Sequence, residues 1–454
     1  MKTPPRSISI AVIGAGMAGP LISILLARKG YLVTLFERRA LVGGDRLESG
    51  RSFNLTLTKR GLAAFQAVGL EDEVKATSMP LRSRTTHRSK LSNVQTRYGT
   101  QKDDVLYSIK RTELNQLLIN AAQSTENISI CDQREYLNFD SSNCQLTFKD
   151  LSNGEIHCEA FDYLIGADGI NSRVREVLQR GKPSDLKREY FEWAYREFSI
   201  SKDESENLNL SGDSLHVWPA EGSLLIAIPN RDGSFTGDVL LPRQGSESFE
   251  TITNAAQWNQ FFSLRYHSIH RSVQNLQGES INNRKTGYLQ TLSTNIWTDS
   301  VRVLLLGDAA HGVFPFYGQG MNSALEDCLI LDSLLNRTGE NMPESFRLFE
   351  KERKIDTDAL CELSRQHFFE LKNGHRNNFN PLVFFTGGKT IYSMVAHSTR
   401  PYREALSELK RQKRLAYFLK WAALPAVAFL VAIVIYSHPF SLSHLNLSGV
   451  YFER

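Results

Sequence analysis

The chain has 454 residues, 41% of them apolar and 22% charged, enough for a sizeable core and for two or three domains. A net charge of +4 is too small a bias for a nucleic-acid partner, and no arginine-rich tract or zinc-finger spacing appears. The five cysteines (Cys131, Cys144, Cys158, Cys328, Cys361) are scattered without a C-x-x-C, which excludes a disulfide framework and reads as reduced thiols.

The N-terminus lacks the apolar core and cleavage site of a signal peptide and runs at once into "SIAVIGAGMAGPLISILLARKGYLVTLFER". This stretch reads as strand, glycine turn, helix, strand. Gly14, Gly16 and Gly19 form G-x-G-x-x-G where a strand turns into a helix. Gly14 allows the tight turn, Gly16 lets a pyrophosphate approach the backbone, and Gly19 lets helix and sheet pack closely. Glu37 ends the second strand, at the distance where a carboxylate accepts from an adenosine ribose. Its charge disfavours a 2′-phosphate, so FAD or NAD fits better than NADP.

Two later strands decide between those cofactors. "FDYLIGADG" ends on Asp168-Gly169, and "VRVLLLGDAA" ends on Gly307-Asp308. A plain NAD site needs no second acidic strand end so far downstream. A flavin does, since its ribityl chain carries hydroxyls and its ring must lie against backbone without bulk. Asp308 can accept from such a hydroxyl. In "GDAAHGVFPFYGQGMNSALED", Gly318 and Gln319 lead into Gly320, Met321 and Asn322, which start a helix. Its N–H groups would face the flavin edge where negative charge gathers on reduction.

Between these strands, "LHVWPAEGSLLIAIPNRDGSFTGDVLLP" alternates and turns at Arg231–Gly233, which predicts an antiparallel sheet. From Gly318 to about His375 the pattern is mostly helical. The fold class is therefore α/β: a Rossmann-like FAD-binding domain, an inserted antiparallel β-sheet substrate domain, and a C-terminal helical region. The expected boundaries are 1–75, 105–180 and 290–338 for the first, 76–104 and 181–289 for the second, and 339–420 for the third. A membrane segment is expected at 421–437. "WAALPAVAFLVAIVIY", Trp421–Tyr436, carries no charge and follows Lys410, Arg411, Lys413, Arg414 and Lys420. As a helix it rises ~24 Å at ~1.5 Å per residue, and adding Phe418, Leu419 and Phe440 extends it towards the ~30 Å core of a bilayer. The basic flank places the main body on the cytosolic side.

In this order the motifs resemble the group A flavoprotein monooxygenases of the aromatic-hydroxylase type. The narrower stretches "RSFNLTLTKRGLAAFQAVGLEDEV", "MPLRSRTTH", "SIKRTELNQLL" and "GDAAHGVFPFYGQGMNSALEDC" resemble the branch of that family acting on kynurenine. The likeness runs from about Ala11 to Glu408. It implies FAD as the resident cofactor, NADPH as a transient co-substrate, O2 as oxidant, and a small aromatic amino acid as substrate. The product would be hydroxylated ortho to the aniline nitrogen, and no side chain is expected to act as a general base.

The resemblance also implies roles for single residues. Arg84, Tyr98 and Tyr392 would hold the substrate carboxylate, Arg111 and Thr56 would contact FAD, and Phe316 and Tyr317 would wall the space before the ring. His367 stands where the family has an asparagine. It can donate to an anion, but it raises the alternative of another aryl amino acid or an anthranilate-like acid. The resemblance places such a protein on the mitochondrial outer membrane of a eukaryote, or on the inner membrane of a bacterium. A membrane-tethered flavin protein that regulates a partner is the reading from another class. His267 and His270 lack a third ligand, so no metal site is expected. No second G-x-G-x-x-G exists for NADPH, consistent with transient docking in this family.

Overall fold

The computed structural model describes residues 7–41, 54–88, 92–99, 104–372, 390–415 and 417–418. Its centre is a five-stranded sheet in the order Val303–Leu305, Tyr163–Gly166, Ser9–Ile13, Leu32–Phe36 and Ile128–Cys131, with every pair parallel. These strands are almost uninterrupted apolar runs, as a sheet covered on both faces requires. The helix Ala18–Arg28 buries ten of its eleven residues against them. The helix Gly320–Arg337 packs alongside and adds Leu325, Cys328, Leu331 and Leu335 to the same core.

A seven-stranded sheet lies beside this core, in the order Gly287–Ser293, Lys187–Ile200, Phe235–Pro242, Ser223–Pro229, Ser214–Ala220, Ser83–Thr86 and Val94–Arg97. The turn expected at Arg231–Gly233 joins two of these strands. Gly233 takes φ +85°, and Asn230 N–H donates to the Ser234 carbonyl at 2.7 Å. The sheet is not wholly antiparallel, because Ser83–Thr86 runs parallel to Ser214–Ala220. That strand comes from a separate stretch of chain, so no hairpin turn dictates its direction.

Three features went beyond the sequence expectation. Helices Ala255–Arg265, His267–His270 and Gly278–Asn282 cover one face of the large sheet through Trp258, Phe262, Ile269 and Ile281. A separate three-stranded sheet, Arg134–Asp140, Gln145–Asp150 and Ile156–Ala160, projects after the parallel strand at Ile128. A second three-stranded sheet, Asn54–Leu57, Leu106–Lys110 and Met79–Leu81, bridges the two main layers. The C-terminal part is helical: Met342–Lys372, then Ile391–Ala396, then 402–415. His375 and the apolar segment 421–437 lie outside the described residues. Among the described residues no helix is long and apolar enough to cross a membrane.

One pair in the large sheet carries a pH dependence. His87 Nε2 and His216 Nδ1 lie 2.8 Å apart, and His87 stacks on Trp218 at 4.3 Å. Burial, with His216 beside it, pushes His87 down to about 4. Its folded value lies below its unfolded value near 6.5, so the unfolded chain binds the extra proton first. The stabilisation is full above pH ~6.5 and fades as pH falls towards ~4. The melting temperature should drop across that window, and His87→Gln should flatten the drop; an unchanged slope would show that other groups govern it.

Candidate active site

The glycine turn is built by close contact. Gly14 has φ +103°, and a Cβ there would lie 2.6 Å from the Ala167 carbonyl oxygen. A Cβ on Gly19 would lie 1.9 Å from the Gly14 carbonyl oxygen, whereas one on Gly16 would meet nothing within 4 Å. The first and third glycines thus serve packing, and the second faces open space at the helix start. Glu37 is buried and accepts from Ala15 N–H at 2.8 Å and from Arg39 Nε at 2.9 Å. Burial raises its pKa, but the Arg39 side chain and backbone N–H groups outweigh this and hold it below the ordinary range. Asn115 donates to the carbonyls of Ala15 and Gly16, both at 3.0 Å. Sequence reading missed this residue, which clips the turn to the helix Arg111–Gln123.

The two acidic strand ends differ. Asp168 Oδ2 accepts from the N–H groups of Arg173 and Val174 at 2.7 and 3.2 Å, so it helps cap the helix Arg173–Gln179. Its Oδ1 is buried without a partner, and burial pushes its pKa up. Asp308 is accessible although Gly307, Ala309 and Ala310 beside it are buried. Loss of water still raises its pKa, partly offset by the charges of His311 and Arg111. Such a carboxyl faces a cleft walled by protein, and Arg111 lies on that cleft. Arg175, also missed in the sequence, ties the two turns together. It donates to the Ala309 carbonyl at 2.8 Å and the Ile170 carbonyl at 2.7 Å.

Opposite them, Gly318 takes φ +64°, and a Cβ on it would lie 2.5 Å from Thr56 Oγ1. Asn322 is fully buried. Its Nδ2 donates to the carbonyls of Thr56 and Gly318, both at 2.8 Å, and its Oδ1 accepts from Thr58 N–H at 2.9 Å. Its side chain is therefore committed to joining strand and helix. What the helix Gly320–Arg337 offers outwards is the N–H groups of its first turn, at Gly320, Met321 and Asn322, which have no acceptor within the helix.

The residues expected at the substrate end converge from four parts of the chain. Tyr98 and Tyr392 stack with centroids 5.4 Å apart. Tyr317 stacks on His367 at 4.1 Å and 18°, and both lie 5.9 Å from Tyr392. Burial pushes both Tyr98 and Tyr392 up, while the charge of Arg84 pulls them down, which places the guanidinium beside them. Arg84 is 8% exposed, its Nε has no hydrogen-bond partner, and no carboxylate pairs with it among the described residues. Phe316 meets Phe368 at 4.6 Å and Phe191 at 5.1 Å, in an apolar wall that includes Phe314 and Trp193.

A buried charge network backs this site. Asp327 accepts from Gly307 N–H at 2.9 Å and Arg353 Nε at 2.6 Å, and pairs with His311 Nε2 at 2.7 Å. Burial opposes its ionisation, but His311 and Arg353 hold its pKa below the usual carboxylate range. Arg353 also pairs with Glu326 at 2.8 Å, and Arg60 bonds the same carboxylate. None of these groups was singled out in the sequence, because their partners lie far along the chain.

The stripped turn, the two acidic strand ends and the outward helix N-terminus line one cleft, and the chain is of the flavin-dependent aromatic monooxygenase class. The residues fit FAD: Gly16 leaves room at the first helix, and Gly318 closes on Thr56 beside the second. Residues 7–355 match the family model described as FAD binding domain. The chain belongs to this family and, within it, to the kynurenine 3-monooxygenases. It is 36% identical over 368 residues to the kynurenine 3-monooxygenase of Legionella pneumophila (strain Corby), covering 81% of each chain. It is 34% identical over 425 residues to that of Salinispora tropica (strain ATCC BAA-916 / DSM 44818 / JCM 13857 / NBRC 105044 / CNB-440), covering 90% of this chain and 92% of the relative. Among solved structures, the tetrameric form of 2-methyl-3-hydroxypyridine-5-carboxylic acid oxygenase shares the fold. Its TM-score is 0.68 at 19% identity, over 83% of this chain and 95% of that one.

Proposed function

We propose that the protein hydroxylates L-kynurenine at the ring carbon ortho to the aniline nitrogen, with FAD bound, NADPH as reductant and O2 as oxidant. This is a step of tryptophan catabolism. The observation that carries the reading is Arg84, a buried cation with no carboxylate partner among the described residues, set beside Tyr98 and Tyr392. An amino-acid carboxylate would satisfy that guanidinium as a charge-assisted acceptor, and Tyr98 and Tyr392 can donate to it as well. Clamping this remote end sets the aryl ring against the Phe316 wall, which is catalysis by positioning.

FAD, once reduced, supplies the activated oxygen. The chain's own work is to hold, orient and keep dry. Phe191, Phe314, Phe316 and Phe368 exclude water from the ring's side. The N–H groups of Gly320 and Met321 favour negative charge at the cleft, and Arg111 and Asp308 can bind phosphate and hydroxyl groups along it.

His367 favours a second reading. It is buried within the clamp, where it brings a further ring donor to the anion. That extra donor would suit an anthranilate-like acid or another aryl amino acid. Incubation with kynurenine, NADPH and oxygen, followed by a mass spectrum of the released product, separates the two. A product heavier by one oxygen supports kynurenine. NADPH consumption that yields only peroxide with kynurenine, but a hydroxylated product with an anthranilate, supports the second.

We further propose that residues 421–437 hold the protein on a membrane with the catalytic body on the cytosolic side. In support, Tyr417 and Phe418 are 65% and 67% exposed just before the apolar run, after the basic group Lys410–Arg414. The full chain should float with vesicles and resist alkaline extraction, whereas a chain ending at residue 418 should be released. Equal release of both overturns the proposal.

A further inference from the structure

The helix 402–415 is tied into the active site by one side chain. Tyr402 is fully buried, and its hydroxyl donates to Gln319 Oε1 at 3.1 Å. Gln319 is also fully buried and precedes the first turn of the helix Gly320–Arg337. Its Nε2 donates to the Tyr317 carbonyl at 3.3 Å. The amide orientation is fixed by chemistry, since turning it would set two oxygens against each other at Tyr317. Tyr402 is itself held in place. The Arg60 guanidinium lies 3.9 Å from its ring centroid and that of Arg353 lies 5.6 Å away. Arg60 also bonds the carbonyls of Val395 and Arg400, and Glu326. One polar bridge thus connects the C-terminal helix to both the ring-facing residue Tyr317 and the helix start.

We infer that Tyr402 is a positioning residue. Through Gln319 it sets the Pro315–Tyr317 turn and the first N–H groups of the following helix, and so sets how tightly that helix end favours reduced flavin. The inference rests on the proposed function only for which substrate is turned over. The helix 402–415 becomes a working part of the active site, in addition to its position ahead of the apolar segment. If the bridge is cut, Gln319 loses the partner that orients it, the Tyr317 carbonyl loses its fixed donor, and the aromatic wall opens to water.

The test uses the full-length holoprotein and Tyr402→Phe, which keeps the ring under Arg60 and removes only the hydroxyl. FAD content should be retained. The midpoint potential of the bound flavin should shift negative, and the ratio of hydroxylated product to NADPH consumed should fall at least threefold, with peroxide making up the difference. Gln319→Leu should give the same shifts, and the double variant should be no worse than Gln319→Leu alone. A Tyr402→Phe protein with wild-type potential and wild-type coupling overturns the inference, as does a lowered melting temperature with neither readout changed. The potential is measured without any substrate. If wild-type protein hydroxylates no kynurenine, the function reading fails while the potential still decides on Tyr402.

Discussion

Arg84→Ala should weaken substrate binding about a hundredfold and leave the flavin in place. Removing one side of a buried, hydrogen-bonded charge pair costs about 2–5 kcal/mol, and a factor of ten corresponds to about 1.4 kcal/mol. The glycine turn and the two acidic turns are held by Glu37, Asp168 and Asp327, and among the described residues none of these bonds involves the Arg84 guanidinium, so its loss should not spread to the dinucleotide. It sits on the strand Ser83–Thr86, paired on both sides, so the scaffold survives the truncation. The measurement is titration of oxidised protein with kynurenine, followed in the flavin absorbance, beside the flavin-to-protein ratio. Parallel loss of ligand and flavin would mean that Arg84 supports the fold and does not clamp the substrate.

Gly19→Ala should abolish FAD binding and lower the melting temperature, whereas Gly16→Ala should weaken FAD while leaving the flavin-free protein unaffected. The contrast follows from what each new Cβ meets. At Gly19 it would lie 1.9 Å from the Gly14 carbonyl oxygen, a backbone atom in a turn already pinned by Gly14 N–H on the Phe36 carbonyl at 2.7 Å. Helix Ala18–Arg28 would have to move off the parallel sheet, and overpacking of this kind costs roughly 1–3 kcal/mol or more. At Gly16 no protein atom lies within 4 Å, so only the dinucleotide would feel the methyl group. Flavin content and thermal unfolding of flavin-free protein read the two effects separately. Equal destabilisation by both substitutions would refute the division of labour.

What could be read from the sequence was short-range. G-x-G-x-x-G, Asp168-Gly169 and Gly307-Asp308 each place strand, turn and ligand-facing atom within a few residues, so spacing alone carries the geometry. Arg84, Tyr98, His367 and Tyr392 came from resemblance and do converge, but no periodicity brings them together. The missed residues act across distance. Asn115 reaches the carbonyls of Ala15 and Gly16, and Arg175 reaches Ala309. Their partners are backbone atoms, which leave no mark on the residue types at the far end. The helices over the large sheet were missed for a related reason. "AAQWNQFFSLR" buries Trp258, Phe261 and Phe262, but its polar residues blur the helical stripe. Asp168 shows a subtler limit, since a strand-end acid can serve a ligand and also cap the next helix.

The parallel sheet takes its neighbouring strands from Ser9–Ile13, Tyr163–Gly166 and Val303–Leu305. During synthesis, Ser9–Ile13 waits for Tyr163–Gly166, and the outer edge of that strand then waits for Val303–Leu305, so the sheet closes only after some three hundred residues have emerged, roughly 15 to 60 s at about 5–20 residues per second. Through that interval the nascent chain presents an unpaired sheet edge and an incomplete nucleotide bed, until the stretch through Asp327 leaves the ribosome. FAD can then be captured only late, as the closing act of assembly, and cells short of riboflavin should degrade this protein while their messenger RNA for it stays constant.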